Sequence, residues 1–242
     1  MISPLELPIN SLSWLFGSAA CFALGIKSYL AYRGSFNHLT KYIAWFSLIM
    51  SLALACFAIP PMFITDLDSL RYAWVIGEFL VYASLIPQAA ILWSLVLRSH
   101  MSVYIPTVAT GLIGLGAWLY AAPNLTLYRE NGFIGYNEPL VSALAMALLL
   151  GGLFIPVGFH FLRATFRQTE FKGRLTTFVL GIVYIGIGVS TASHLIIIGE
   201  VASVASSLGN IIFFSVLLGA IAWPHQAKNK HPAVAAYGRP QN

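Results

Sequence analysis

The chain has 242 residues, 58% of them hydrophobic and 9% charged, with a formal net charge of +5 and a mean hydropathy of +0.79. A soluble domain carries about 25% charged residues, so this composition excludes an ordinary soluble protein, and the length leaves no room for a soluble catalytic module beside a membrane domain. The positive charge is therefore read as a marker of membrane orientation, and no nucleic-acid partner is expected.

The first residues, "MISPLELPIN", carry no basic region and no small-residue cleavage site, so they read as an uncleaved outer segment. A membrane-spanning helix needs about 20 predominantly apolar residues. Seven segments qualify, roughly 12–32, 42–59, 70–97, 103–121, 140–162, 175–198 and 202–223. Their runs are continuously apolar, which excludes a membrane β-barrel with its alternating strands. Breakers and charges fall between them, in "RGSFNHLTK", "PPMFITDLDS", "RSHMS", "APNLTLYRENGFIGYNEP", "RATFRQTEFKGR" and "GEV". The expected fold is an all-α integral membrane bundle of seven transmembrane helices in one domain, residues 1–224, followed by a short polar tail, 225–242.

Charge sets the orientation. Arg33 and Lys41 flank the first connection, Arg98 lies at the third, and Arg163, Arg167, Lys172 and Arg174 lie at the fifth. The alternate connections hold Asp66, Asp68, Glu130, Glu138 and Glu200, with only Arg71 and Arg129 against them. The positive-inside rule then places the N-terminus outside and the C-terminus in the cytoplasm, in what is expected to be a bacterial inner membrane. Cys21 and Cys56 both lie in apolar runs and read as small hydrophobes, with no disulfide framework or metal site expected. Pro87 and Pro156 fall mid-span, where kinks are expected. Trp14, Trp74, Trp118 and Trp223 fall near span ends, where interfacial anchors belong.

Glu78 stands out in "RYAWVIGEFLVYAS". Counted from Leu70 at about 1.5 Å per residue, it lies on the order of 12 Å inside the span. A carboxylate facing lipid there costs several kcal/mol, so Glu78 must face the bundle interior or become neutral. In span seven Ser203, Ser206, Ser207 and Asn210 share one helical face, and Asn210 lies at a depth similar to Glu78. Span six presents Tyr184, Gly188, Thr191 and His194. Glu78, Asn210, His194, Thr191, Ser206 and Ser207 are thus candidate ligand-binding residues of an outer-half pocket between spans three, six and seven. The competing reading is packing, because small and hydroxylated residues commonly line contacts between membrane helices.

Several chemistries lack their residues. A retinal protein needs a lysine in span seven, and Val201 to Pro224 contains none, although "RYAW" is similar to the opening of the third rhodopsin helix. Haem ligation needs two histidines at one depth, whereas His160 and His194 fall toward opposite faces of the membrane. No HExxH-like or paired-acid motif suggests an intramembrane hydrolase, so no enzyme activity, catalytic residue, cofactor or metal is expected.

The segment "FRQTEFKGRLTTFVLGIVYIGIG", the long connection before span five and the N-out bundle together resemble the seven-helix N-terminal sensory region of certain bacterial histidine kinases. That resemblance implies a receptor-like sensor in the bilayer, and the outer-half pocket residues suggest a small lipophilic or weakly polar ligand. No kinase output domain follows Trp223 in this sequence, so the signal is expected to reach a separate cytoplasmic or membrane protein partner. The basic cluster from Arg163 to Arg174 is a docking candidate, although the topology rule already requires it. Two alternatives stand beside the sensor: a small proton-coupled transporter or channel using Glu78, with Gln88 further along its span, and an assembly subunit of a membrane complex.

Overall fold

Long apolar segments with polar breaks fold into six α-helices and one β-hairpin in the computed structural model, which describes residues 8–97, 100–130, 133–196 and 212. The order is α1 (Ile9–Ser35), α2 (His38–Ala58), a 3-10 turn (Pro60–Met62), α3 (Leu67–Leu92), α4 (Tyr104–Ala121), β1 (Thr126–Glu130), β2 (Phe133–Asn137), α5 (Leu140–Thr165) and α6 (Phe171–Ile196). Five stretches are long and apolar enough to cross a membrane: Asn10–Ser35, His38–Met62, Leu67–Leu97, Tyr104–Ala121 and Leu140–Thr165. A sixth apolar stretch, Gly173–Val189, is shorter. The segment read as span seven, apart from residue 212, and the tail lie outside the described residues.

Local chemistry sets the breaks. Phe36 closes α1 in the left-handed region at φ 52°, its N–H donating to the Tyr32 carbonyl. The Asn37 side chain then caps α2 by accepting from the Leu39 N–H at 2.9 Å. Pro60 and Pro61 end that helix, and Asp66 starts α3 by accepting from the Ser69 N–H at 2.8 Å. Helices α3 and α5 continue through Pro87 and Pro156, and α3 runs on into a π-helical turn at Trp93–Leu97.

Sequential helices pack as neighbours, and α5 also lies against α3 and α4. Ser18 and Ser51 lock α1 to α2, each hydroxyl donating to the other's carbonyl at 2.9 Å. Glycines set the closest approaches. A methyl group on Gly158 would lie 2.9 Å from the Gly181 carbonyl, and one on Gly181 would lie 3.0 Å from that of Gly158, so α5 and α6 meet backbone to backbone. The main core gathers Phe46, Tyr82, Leu85, Ile91, Leu153, Phe154 and Tyr184. Outward faces carry Phe22, Leu30, Leu52, Ile76, Leu112 and Leu148, all exposed, which suits a lipid solvent and would be a liability in water.

The connection read as a loop, 122–139, instead contains an antiparallel hairpin pairing Thr126 with Asn137 through Glu130 with Phe133. This is the one departure from a purely helical chain among the described residues. The hairpin folds onto the end of the bundle. Asn10 holds it by donating to the Ile134 carbonyl at 2.6 Å and accepting from the Ile134 N–H at 3.3 Å. Arg129 donates to the Pro61 carbonyl, and Leu125 and Ile134 join a second core with Phe57, Leu70 and Trp74. This end of the bundle is called the hairpin end below, and the end carrying Arg33, Lys41, Arg163 and Arg174 the basic end.

Candidate functional site

Because Asp66 fixes the start of α3, Trp74, Glu78 and Tyr82 fall at successive one-turn intervals on one helix face. That face is buried. Trp74 is 1% exposed, Glu78 5% and Tyr82 4%. Trp74 is therefore a core residue and not the lipid-facing anchor its position suggested. It contacts Trp14 at 5.2 Å between ring centroids and Phe57 at 4.9 Å.

The hairpin and the start of α5 run across the same face. Tyr136 meets Trp74 at 5.4 Å between ring centroids. Two turns further along α3, the Tyr82 hydroxyl donates to the Ser142 carbonyl at 3.4 Å. Glu78 stands between Trp74 and Tyr82, and Glu138 stands between Tyr136 and Ser142. The two bracketing contacts thus bring the carboxyls of Glu78 and Glu138 within electrostatic range of each other.

Their hydrogen bonding is incomplete. Glu78 Oε2 and Glu138 Oε1 are both buried and have no partner. Burial holds the Glu138 carboxyl above its ordinary range, while a hydrogen bond from Ser142 pulls the other way. The arginines of this end bond elsewhere: Arg71 donates to the Ala122 and Pro123 carbonyls at 3.1 and 2.7 Å, and Arg129 to Pro61. Among the described residues no third histidine, cysteine or acid joins the pair to form a metal set. Chemically, the site offers two carboxyls whose free oxygens accept hydrogen bonds, lined by aromatic rings.

Of the residues singled out from sequence, Glu78 lies in this site. Thr191 and His194 belong to the last turns of α6, but their side chains lie outside the described residues, as do Ser206, Ser207 and Asn210. On its described length α6 packs against α5, and among the described residues α2, α4 and α5 pack on α3. Glu138 was missed, having been counted only as one acid of an outer loop. Its signal was "TLYRENGFIGYNEP": Asn-Gly between two β-prone runs marks a hairpin, which returns the following residues to the bundle.

A second set of polar groups lies deeper. The Gln88 amide donates to the Leu153 carbonyl at 3.3 Å, while its Oε1 and the Ser47 hydroxyl are buried without partners. Gly77 abuts Phe57, which aligns α3 with antiparallel α2. Counting from that contact at about 1.5 Å per residue puts Gln88 and Ser47 at a common depth, roughly 15 Å further toward the basic end. No protein-family model matches the chain, and no curated protein matches its sequence.

Proposed function

We propose that the protein is a receptor-like sensor of seven membrane spans that recognises a small, weakly polar molecule at its hairpin end. In this reading the hairpin end faces outward and the basic end lies in the cytoplasm of a bacterial cell. Arg33, Lys41, Arg163 and Arg174 at the ends of their helices support that orientation. The observation that carries the proposal is Glu78 Oε2, a carboxylate oxygen buried inside the bundle and left without a hydrogen-bond partner. Leaving such a group unpaired costs about 1–3 kcal/mol or more, so a bound donor gains affinity by satisfying it.

Asn210, His194, Thr191, Ser206 and Ser207 are proposed to complete the pocket from spans six and seven. The basic connection from Arg163 to Arg174 is proposed as the contact for a separate output partner. Native mass spectrometry of the purified protein tests the reading, with wild type beside Glu78→Gln and Asn210→Leu. A discrete small molecule present in wild type and lost from both variants supports it. Wild type carrying only the bulk lipid of the variants overturns it.

A second reading is a proton-coupled transporter, favoured by the unpartnered Gln88 and Ser47 groups toward the basic end. It requires proton movement across vesicles that is abolished in Glu78→Gln and slowed in Gln88→Leu. A tight membrane in that assay, together with a captured ligand, leaves the sensor.

A further inference from the structure

We infer that the hairpin end binds a small organic ammonium ion, with Glu78 as the floor of the site and Glu138, carried between the hairpin and α5, as its second ligand. The inference rests on the sensor reading above and sharpens its ligand to one with an apolar body and a single charged head. Glu78 is 5% exposed and has an unpartnered oxygen, so a donor is wanted inside the bundle. Glu138 also has an unpartnered oxygen and is only half-buried, which places it between that interior point and the surface.

Charge decides the class of donor. Two interacting carboxyls resist carrying charge together, and a cation between them relieves that repulsion. No described basic side chain is hydrogen-bonded to either free oxygen, and the site has too few ligands for a divalent metal. A primary ammonium carries three N–H donors on one positive centre, one for each free oxygen with one to spare. Trp74, in ring contact with Tyr136 at 5.4 Å, lies one turn of α3 before Glu78 and Tyr82 lies one turn after it, so aromatic surface stands near the acid for a cation or an apolar substituent.

The mouth of the site is the covering segment itself. Glu138 directly follows β2, and the hairpin is held to the rest of the bundle by Asn10 at Ile134 and by Arg129 at Pro61.

The test uses the full chain in nanodiscs, titrated with benzylammonium and with benzyltrimethylammonium while tryptophan fluorescence is followed. Trp14 and Trp74 lie in contact beside the site and report on it. The expected result is a saturable response to benzylammonium, at least tenfold weaker with the trimethyl compound, which lacks N–H donors. Glu78→Gln and Glu138→Gln should each weaken benzylammonium by tenfold or more, with Glu130→Gln unchanged. No saturable response, equal affinity for the two compounds, or a response to pH alone overturns the inference, and the wild-type contrast requires no variant to fold. A neutral molecule co-purifying with wild type and lost in Glu78→Gln, without any ammonium binding, overturns this inference and leaves the sensor reading standing.

Discussion

Tyr82 donates its hydroxyl to the Ser142 carbonyl at 3.4 Å, and this bond joins α3 to the first turn of α5 one turn from Glu78 and four residues from Glu138. It is a positioning contact for the carboxyl pair. Tyr82→Phe should cost about 0.6 kcal/mol, the average for hydrogen bonds between membrane helices, a small loss in thermal stability. Its larger expected effect is on ligand binding, because the spacing of the two acids is no longer fixed from that side. Ligand affinity measured beside melting temperature separates the two effects.

Asn10 is the hairpin's tie to the first helix, satisfying both backbone groups of Ile134. Asn10→Leu removes both bonds and leaves a buried N–H and a buried carbonyl without partners. We expect faster hydrogen exchange at the Ile134 amide and faster cleavage in the hairpin by an added protease, with the helices unaffected. Unchanged protection at Ile134 would show that the second core alone holds the hairpin.

Glu138 gives the hairpin end a pH dependence whose sign follows from burial. Its folded-state value lies above the ordinary 4.5, so the folded state holds the proton more tightly than the unfolded chain does. Stability at this end is therefore full below the ordinary value and is lost as pH rises through the raised one. Hydrogen exchange at the hairpin measured from pH 4 to pH 8 should show protection falling with pH, after correction for intrinsic rates. In Glu138→Gln that trend should flatten.

The contact between α5 and α6 has no room for a side chain. An added methyl on Gly158 would fall 2.6 Å from Ile185 Cγ1 and 2.9 Å from the Gly181 carbonyl. Gly158→Val should destabilise the pair by about 1–3 kcal/mol through overpacking, whereas Gly152→Ala, which meets nothing within 4 Å, should be silent. Thermal unfolding in detergent distinguishes them.

The helices were legible because lipid imposes a single rule. Backbone groups must pair within the segment, so each long apolar run becomes a helix, and charges or prolines mark its ends. The spans read as 103–121 and 140–162 correspond to Tyr104–Ala121 and Leu140–Thr165. Glu78 was legible for the same reason, as an acid where water is absent. Glu138 and Trp74 were not, because both depend on where the connection before α5 folds. Hydropathy is blind to a polar segment that doubles back over the bundle, and Trp74 at a span end looks like an anchor until Tyr136 is laid on it. The residues of spans six and seven that were grouped with Glu78 were placed by depth and by a shared helical face, and their side chains lie outside the described residues.

The tie between Asn10 and Ile134 spans 124 positions of the chain. During synthesis the first helix emerges early, yet its buried amide has no Ile134 to meet until four helices and the first strand have been made. The start of the protein must then wait, its polar side chain solvated near the membrane surface, while α2, α3 and α4 are inserted. Closing of the hairpin over Glu78 is consequently a late step in biogenesis, and a nascent chain stalled before residue 134 would carry the acid in its third helix without the cover that seals it.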